Sequence, residues 1–229
     1  MIAVDLSQIS YDEGLAYQEK VHALRVADEI DDVLFLLEHS HVITIGKSGE
    51  KSDLLEPEET LVRRGIEIRH LSRGGKITCH YPGQLVVYPI MKLEPADIDI
   101  PRYVWNLEET IIQTLAEFGT EGKRIPEMRG VFVGNDKVAA VGVEVRKSVS
   151  IHGLALNIKE DKTLYRLFVP CGIRDRDVTF LDNVSGSGRI LDMAEIKLCL
   201  VQKFSEVFDV AIASVVTLHE FQKKYLKNL

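Results

Sequence analysis

Three cysteines are the first candidates for chemistry: Cys79, Cys171 and Cys199. They are odd in number, widely spread and never arranged as CxxC, which excludes a disulfide framework or a zinc site and fits a cytosolic chain with reduced thiols. Each thiol is then a small core residue or a nucleophile. Cys79 stands beside His80 in "LSRGGKITCHYPGQL". In an extended segment neighbouring side chains point to opposite faces, so adjacency separates this pair rather than joining it. A working thiol–imidazole couple needs contact near ~3 Å, usually between residues distant in sequence. Cys199 falls mid-helix beside Ile196 and Leu200, where cysteine packs as a hydrophobe. Cys171, in "FVPCGIRDRDVTFL", lies between Pro170 and Gly172. That setting admits two readings: a thiol displayed where the backbone can approach a ligand, or a tight turn that contains a small residue.

Other polar positions are equally two-sided. Lys137 follows the turn residues Gly134, Asn135 and Asp136, and taken alone is an exposed charge. His80 and His152 suit orientation of a substrate carbonyl or amine, or a structural hydrogen bond. Gly142 and Gly153 interrupt strands, as glycine does at a bulge or where a ligand comes close. Lys147, Lys159 and Lys162 read as solvated charge, whereas Arg124, Arg129, Arg146 and Arg174 are basic groups that could meet an acidic partner.

Recognisable elements must position these groups. Ser10 and Glu13 form a capping box ahead of a helix whose face carries Tyr17, Val21 and Leu24. "DVLFLLEH", "HVITIG", "IEIRHL" and "QLVVYPIM" read as strands. "PEETLVRRG" is a short helix opened by Pro57 and stopped by Gly65. Pro101 and Gly119 bound a helix with a stripe of Val104, Leu107, Ile111, Leu115 and Phe118. "GVFVG", "KVAAVGVEVRK" and "SIHGLALNI" are three successive strands. "DMAEIKLCLVQKFSEVFD" is an amphipathic helix through Ile196, Leu200, Phe204 and Phe208, followed by a strand "VAIASVV" and a helix from about Thr217. Strands run in consecutive groups with helices between them, which predicts α+β with a mixed, largely antiparallel sheet flanked by helices.

The bulk numbers agree with one domain over 1–229, with a small C-terminal subdomain from about residue 190 as a variant. A net charge of −7 argues against nucleic-acid binding through bulk electrostatics. No apolar run reaches the ~18 residues of a membrane helix. "MIAVDLSQIS" lacks the basic start and long apolar run of a leader. With no self-association segment in view, a monomer is expected.

Taken together, "RGGKITCHYPGQLVVYPI", "GVFVGNDKVAAVGVEVRKSVSIHGLALNI" and "VPCGI" followed by "VTFL" resemble the lipoyl(octanoyl) transferase family. That family's hallmarks are RGG…TYHGPGQLV.YPI, a K-(I/V)-A-x-(I/V)-G strand, HGxALN and VPCGI, in this order. The likeness runs from about residue 39 to 181, and "HSHVITIG" is similar to the family's HPPVxTxG with Ser40 in place of a proline. It implies a fold like the biotin/lipoate-protein ligase catalytic domain. It further implies transfer of an octanoyl or lipoyl group from acyl carrier protein to a lysine of lipoyl domains of 2-oxoacid dehydrogenases and of glycine cleavage H protein, without a cofactor. By the same resemblance Cys171 is the acyl-thioester nucleophile and Lys137 its partner. Arg73, Gly74, Gly75, Lys76, Ile77, Thr78, Cys79 and His80 would line an acyl pocket with Ala140, Val141, Gly142, Gly153, Leu154 and Ala155, and His152 would help to orient substrate. Cys79 stands where the family has tyrosine and Tyr81 where it has glycine, departures that bear on pocket shape and chain-length preference.

The implied chemistry is coherent. A free thiol is only a few per cent thiolate at neutral pH, and a nearby ammonium stabilises the thiolate. Lys137 can serve Cys171 and then the incoming amine as general base. Gly172 and the Gly74–Gly75 loop could offer amides to the oxyanion. Three alternatives remain: an ATP-dependent lipoate- or biotin-protein ligase, a thiol hydrolase pairing Cys171 with His80 or His152, and a degenerate homologue that binds acyl carrier without turnover.

Overall fold

The structure is a computed structural model that describes residues 1–93, 99–168, 177–186, 188 and 190–226. Its frame is one large sheet. β1 (Ile2–Ile9) and β2 (Val33–His39) are parallel neighbours, connected by helix α1 (Tyr11–Val26). The sheet continues antiparallel through β6 (Gln84–Ile90), β10 (Val149–Asn157), β9 (Asp136–Arg146), β8 (Met128–Val133) and β7 (Lys123–Ile125). β11 (Val215–Thr217) adds a parallel edge beside β1.

Both faces of this sheet are covered, so its central strands β6 and β10 are buried along their whole length and mostly apolar. Leu34 and Leu36 of β2 join Leu85, Val87, Leu154 and Leu156 in a core under α3 (Ile100–Glu117) and α5 (Met193–Phe208). Val33, Phe35 and Leu37 join Val86 and Ile90 in a second core under α1 and α6 (Leu218–Tyr225). The period-two division of β2 between the two cores is the strand rule at work. Helix α3 follows its sequence: the Asp99 side chain caps the Arg102 amide, Pro101 sits in the first turn, and Leu107, Ile111 and Leu115 are fully buried.

A small sheet stands apart, with β3 (Val42–Ile45) between β4 (Glu67–His70) and β5 (Ile77–His80). Its core gathers Ile43, Cys79 and Tyr81 with Phe168 and Phe180, and Leu61 of α2 (Glu58–Arg63) closes it. Helix α4 (Leu181–Val184) follows.

Two sequence-based expectations are corrected. The strand over "VAIASVV" shrinks to β11, and it enters the main sheet beside β1, while Phe221 of α6 lies in the core. The buried face of α1 is Tyr11, Gly14, Gln18, Val21 and His22, with Tyr17 and Leu24 only partly buried. The reason is that α1 lies across polar groups of the sheet: a Cβ on Gly14 would come 2.7 Å from His39 Cε1, and His22 Nε2 is 3.1 Å from Arg146 O. Strands β1, β5 and β7 add to what was expected. Among the described residues no helix is long and apolar enough to cross a membrane.

Candidate active site

A cavity of about 490 Å³ opens between the two sheets. The loop 73–76 forms one wall and is tied down on both sides. Gly74 N–H donates to Val143 O (2.9 Å) on β9, and Gly46, Lys47 and Ser48 donate to Lys76, Arg73 and Gly75 carbonyls at 3.0, 3.0 and 3.2 Å. Arg73 is buried, with Nη2 on Thr44 O (2.8 Å) and Thr44 Oγ1 (2.9 Å), so the guanidinium is anchored to β3. The Gly74 amide is therefore already committed and does not offer itself to an oxyanion.

On β5, side chains alternate as the strand period demands. Thr78 and His80 reach the cavity, whereas Cys79 is fully buried in the small-sheet core and does not line it. Burial pushes the Cys79 thiol well above its ordinary pKa, which keeps it protonated. Lys76 and Ile77 also line the cavity, as do Ala140, Val141 and Gly142 of β9 and His152, Gly153, Leu154 and Ala155 of β10. Gly142 and Gly153 face each other in register. The backbone that approaches them is the protein's own: an added Cβ would lie 3.0 Å from Gly74 O at Gly142 and 2.1 Å from Val87 O at Gly153.

Lys137 is the second residue of β9 and is fixed by backbone bonds on both sides, its N–H to Asp177 O (3.0 Å) and its carbonyl from Thr179 N–H (2.9 Å). Its side chain runs across Gly130, where a Cβ would come 2.6 Å from Cε, and Nζ lies 5.7 Å from the Phe132 ring centroid. It lines the cavity rather than extending into solvent. Cys171, Gly172 and Arg174 lie outside the described residues. Asp177 and Val178, just after that stretch, line the cavity. Phe168, just before it, lines an adjoining void of about 20 Å³.

The cavity also has members that sequence reasoning missed: Tyr11 from α1, Tyr88 from β6, Phe132 from β8, and Lys47 and Glu127 at a rim that also carries Arg129, one of the basic groups expected to meet an acidic partner. Tyr88 hid inside an apolar strand run, and only its packing against a histidine marks it. His39 Nδ1 donates to Ile9 O (3.1 Å), which leaves Nε2 to accept from the Tyr88 hydroxyl (2.9 Å). His80 is oriented likewise. Gln84 Nε2 donates to Asn157 Oδ1 (2.9 Å) and Cys79 O (3.2 Å), so Gln84 Oε1 accepts from His80 Nδ1 at 2.7 Å. Burial above all, with nearby His39 adding to it, holds His80 well below the usual histidine pKa, so its ring is neutral and Nε2 is an acceptor. Burial, then the Arg73 charge, lowers His152 to about 4. The cavity thus has apolar walls, a lysine and neutral imidazoles, a set suited to acyl and proton transfer away from bulk water. Of the other arginines, Arg124 pairs with Glu108 and Glu109, and Arg146 with Glu19.

Comparison with known proteins identifies the family. The model of the lipoyl protein ligase A/B catalytic domain matches residues 10–205. The chain is 45% identical over 184 residues to an octanoyltransferase of Caldicellulosiruptor bescii, covering 80% of this chain and 81% of that one. It is 37% identical over 221 residues to an octanoyltransferase of Clostridium kluyveri, covering 96% and 94%. Solved structures share the fold at low identity. A bipartite lipoate protein ligase from Thermoplasma acidophilum superposes with a TM-score of 0.72 at 17% identity, covering 97% of this chain and 92% of that one. A biotin protein ligase from Aquifex aeolicus gives 0.51 at 16%, covering 99% and 72%. With motifs, fold and relatives in agreement, the chain belongs to the octanoyltransferase branch of the lipoyl protein ligase A/B catalytic-domain family and is an acyltransferase.

Proposed function

We propose that the chain takes an octanoyl (or lipoyl) group from acyl carrier protein and delivers it to a lysine of lipoyl-domain proteins, through a thioester on Cys171. The acceptors would be lipoyl domains of 2-oxoacid dehydrogenases and glycine cleavage H protein, met as a monomer in the cytoplasm. Relatives named octanoyltransferase support the acyl group and the lipoate-forming role. The observation that carries the reading is Lys137, led over Gly130 onto the wall of an apolar cavity.

In the first half-reaction Lys137 takes the Cys171 proton, the thiolate adds to the donor carbonyl, and the carrier thiolate leaves with that proton. In the second, the acceptor amine adds to the Cys171 thioester, Lys137 takes its proton, and the enzyme thiol is restored as the amide forms. A neutral His80 with Nε2 free to accept suits the holding of the acceptor amine, and His152 on the same cavity suits the substrate carbonyl. No cofactor takes part in these steps.

The test is incubation with octanoyl carrier in the absence of ATP, read by mass spectrometry. An octanoyl adduct on Cys171 that disappears in Cys171→Ser is the expected result. Labelling that requires ATP would replace this reading with the ligase alternative, and acyl release to water alone would point to hydrolysis.

A further inference from the structure

One backbone position in the cavity wall is out of keeping with its strand. His152 lies within β10 yet has φ +63°, in the left-handed region that side-chain-bearing residues rarely occupy. Its neighbours explain the local break. Leu154 pairs with Val87, and the Ser150 N–H donates to Met91 O at 2.9 Å, so the same alignment sets His152 opposite Pro89. In a regular ladder these two residues would exchange both backbone bonds. Proline has no N–H, so the exchange fails at this position. Pro89 O instead accepts from Ser150 Oγ (2.7 Å), and the His152 N–H turns out of the sheet to Gln18 Oε1 (2.9 Å) on α1.

Gln18 is fully buried, and its Nε2 has no hydrogen-bond partner among the described residues. A buried amide with half its groups unsatisfied is an expensive way to fill space, and leucine or methionine would pack there at lower cost. The bond it does make is to the one strained residue whose ring borders the cavity. We propose that Gln18 is a positioning residue of this site: by accepting the His152 N–H that the broken pairing turns out of the sheet, it holds His152 in its left-handed turn with the imidazole at the cavity. Its effect on rate rests on the acyl-transfer reading, whereas its effect on the ring does not.

Gln18→Met removes the acceptor at similar volume, and Gln18→Glu keeps an acceptor oxygen. Side-chain NMR of ¹⁵N-labelled histidine follows the ring, and single-turnover octanoylation of Cys171 follows the chemistry. In the wild type His152 stays neutral down to a pH of about 4. Gln18→Met should shift its imidazole signals and raise its titration midpoint toward the ordinary value. Octanoylation should slow by about 10-fold or more, as for a small misplacement of a reacting group. Gln18→Glu should restore most of the octanoylation rate, while its carboxylate by itself raises the His152 midpoint. In a His152→Ala background Gln18→Met should slow octanoylation no further, because the two act as one unit. Wild-type His152 signals in folded Gln18→Met, or additive losses in the double variant, would overturn the proposal. If Gln18→Met does not fold, Gln18→Asn, which withdraws the oxygen by one carbon, is judged by the same signals. Failure of the wild type to load Cys171 would overturn the acyl-transfer reading, while the NMR comparison would still decide the role of Gln18.

Discussion

Residue 130 stands at φ +110°, where an added Cβ would lie 2.3 Å from Ala139 O and 2.6 Å from Lys137 Cε. Glycine is required there twice, by the backbone conformation and by the lysine stem that crosses it. Gly130→Ala should therefore lose about 1–3 kcal/mol in chemical unfolding and slow octanoylation as Lys137 is displaced. Lys137→Met should slow octanoylation by about 100-fold or more with a much smaller loss of stability, because only a proton carrier is removed. Equal stability losses in the two variants would deny the distinction. Cys79 is the converse case, a thiol beside a histidine that points away from the cavity. Cys79→Ala should cost about 1 kcal/mol, near the value of one buried methylene, and leave octanoylation intact. Iodoacetamide should leave Cys79 unmodified in the native protein, since burial keeps it protonated and out of reach.

Strand β10 is pressed against β6 so closely at Gly153 that a Cβ would come 2.1 Å from Val87 O and 2.7 Å from Pro89 Cδ. Both obstacles belong to a fully buried strand and cannot swing aside. Gly153→Ala should destabilise by about 1–3 kcal/mol or more, measured by urea unfolding. Gly142→Ala meets the Gly74 carbonyl at 3.0 Å and the Arg73 side chain at 3.4 Å, contacts that a shift of a few tenths of an ångström relieves, so it should alter substrate binding more than stability. Matching midpoints for the two variants would contradict this contrast. The same elements reveal what could be read from sequence. The α3 stripe and the parting of Cys79 from His80 follow from local periodicity, and both stand in the structure. Tyr11, His39 and Tyr88 gave no such signal, because their bonds and ring contacts come from other elements. The buried face of α1 defied the apolar-stripe rule for a physical reason: it satisfies polar groups of the strands beneath it, through Gln18 and His22. Periodicity finds hydrophobic faces and is blind to that task.

Across the whole molecule, three neutral histidines sit between the sheets, and this makes stability depend on pH. His39 and His152 are both lowered to about 4, chiefly by burial, and His80 lies well below its ordinary value for the same main reason. An unfolded chain protonates these rings near pH 6.5, whereas the folded one does not, so below that pH the unfolded state binds more protons. Their burial is therefore without penalty above pH 6.5 and increasingly costly as pH falls toward 4. Each pKa unit is worth about 1.4 kcal/mol, so His39 and His152 should each withdraw about 3 kcal/mol over that window. Carboxylates held low by partners, such as Asp12 by its hydrogen bonds from Arg69 and Asp177 by Lys162, lose their stabilisation only at lower pH. The urea midpoint should then be level between pH 8 and 7 and fall steeply between pH 6 and 4.5, ahead of carboxylate titration. His39→Gln, which cannot take up a proton, should flatten that fall by about 1.4 kcal/mol per pH unit, even if it lowers stability at pH 7 by breaking the Tyr88 bond. A midpoint that stays level to pH 5 would mean that the rings are already protonated in the folded state. In that case His80 could not accept a hydrogen bond in the cavity, and its place beside the acceptor amine would fall with it.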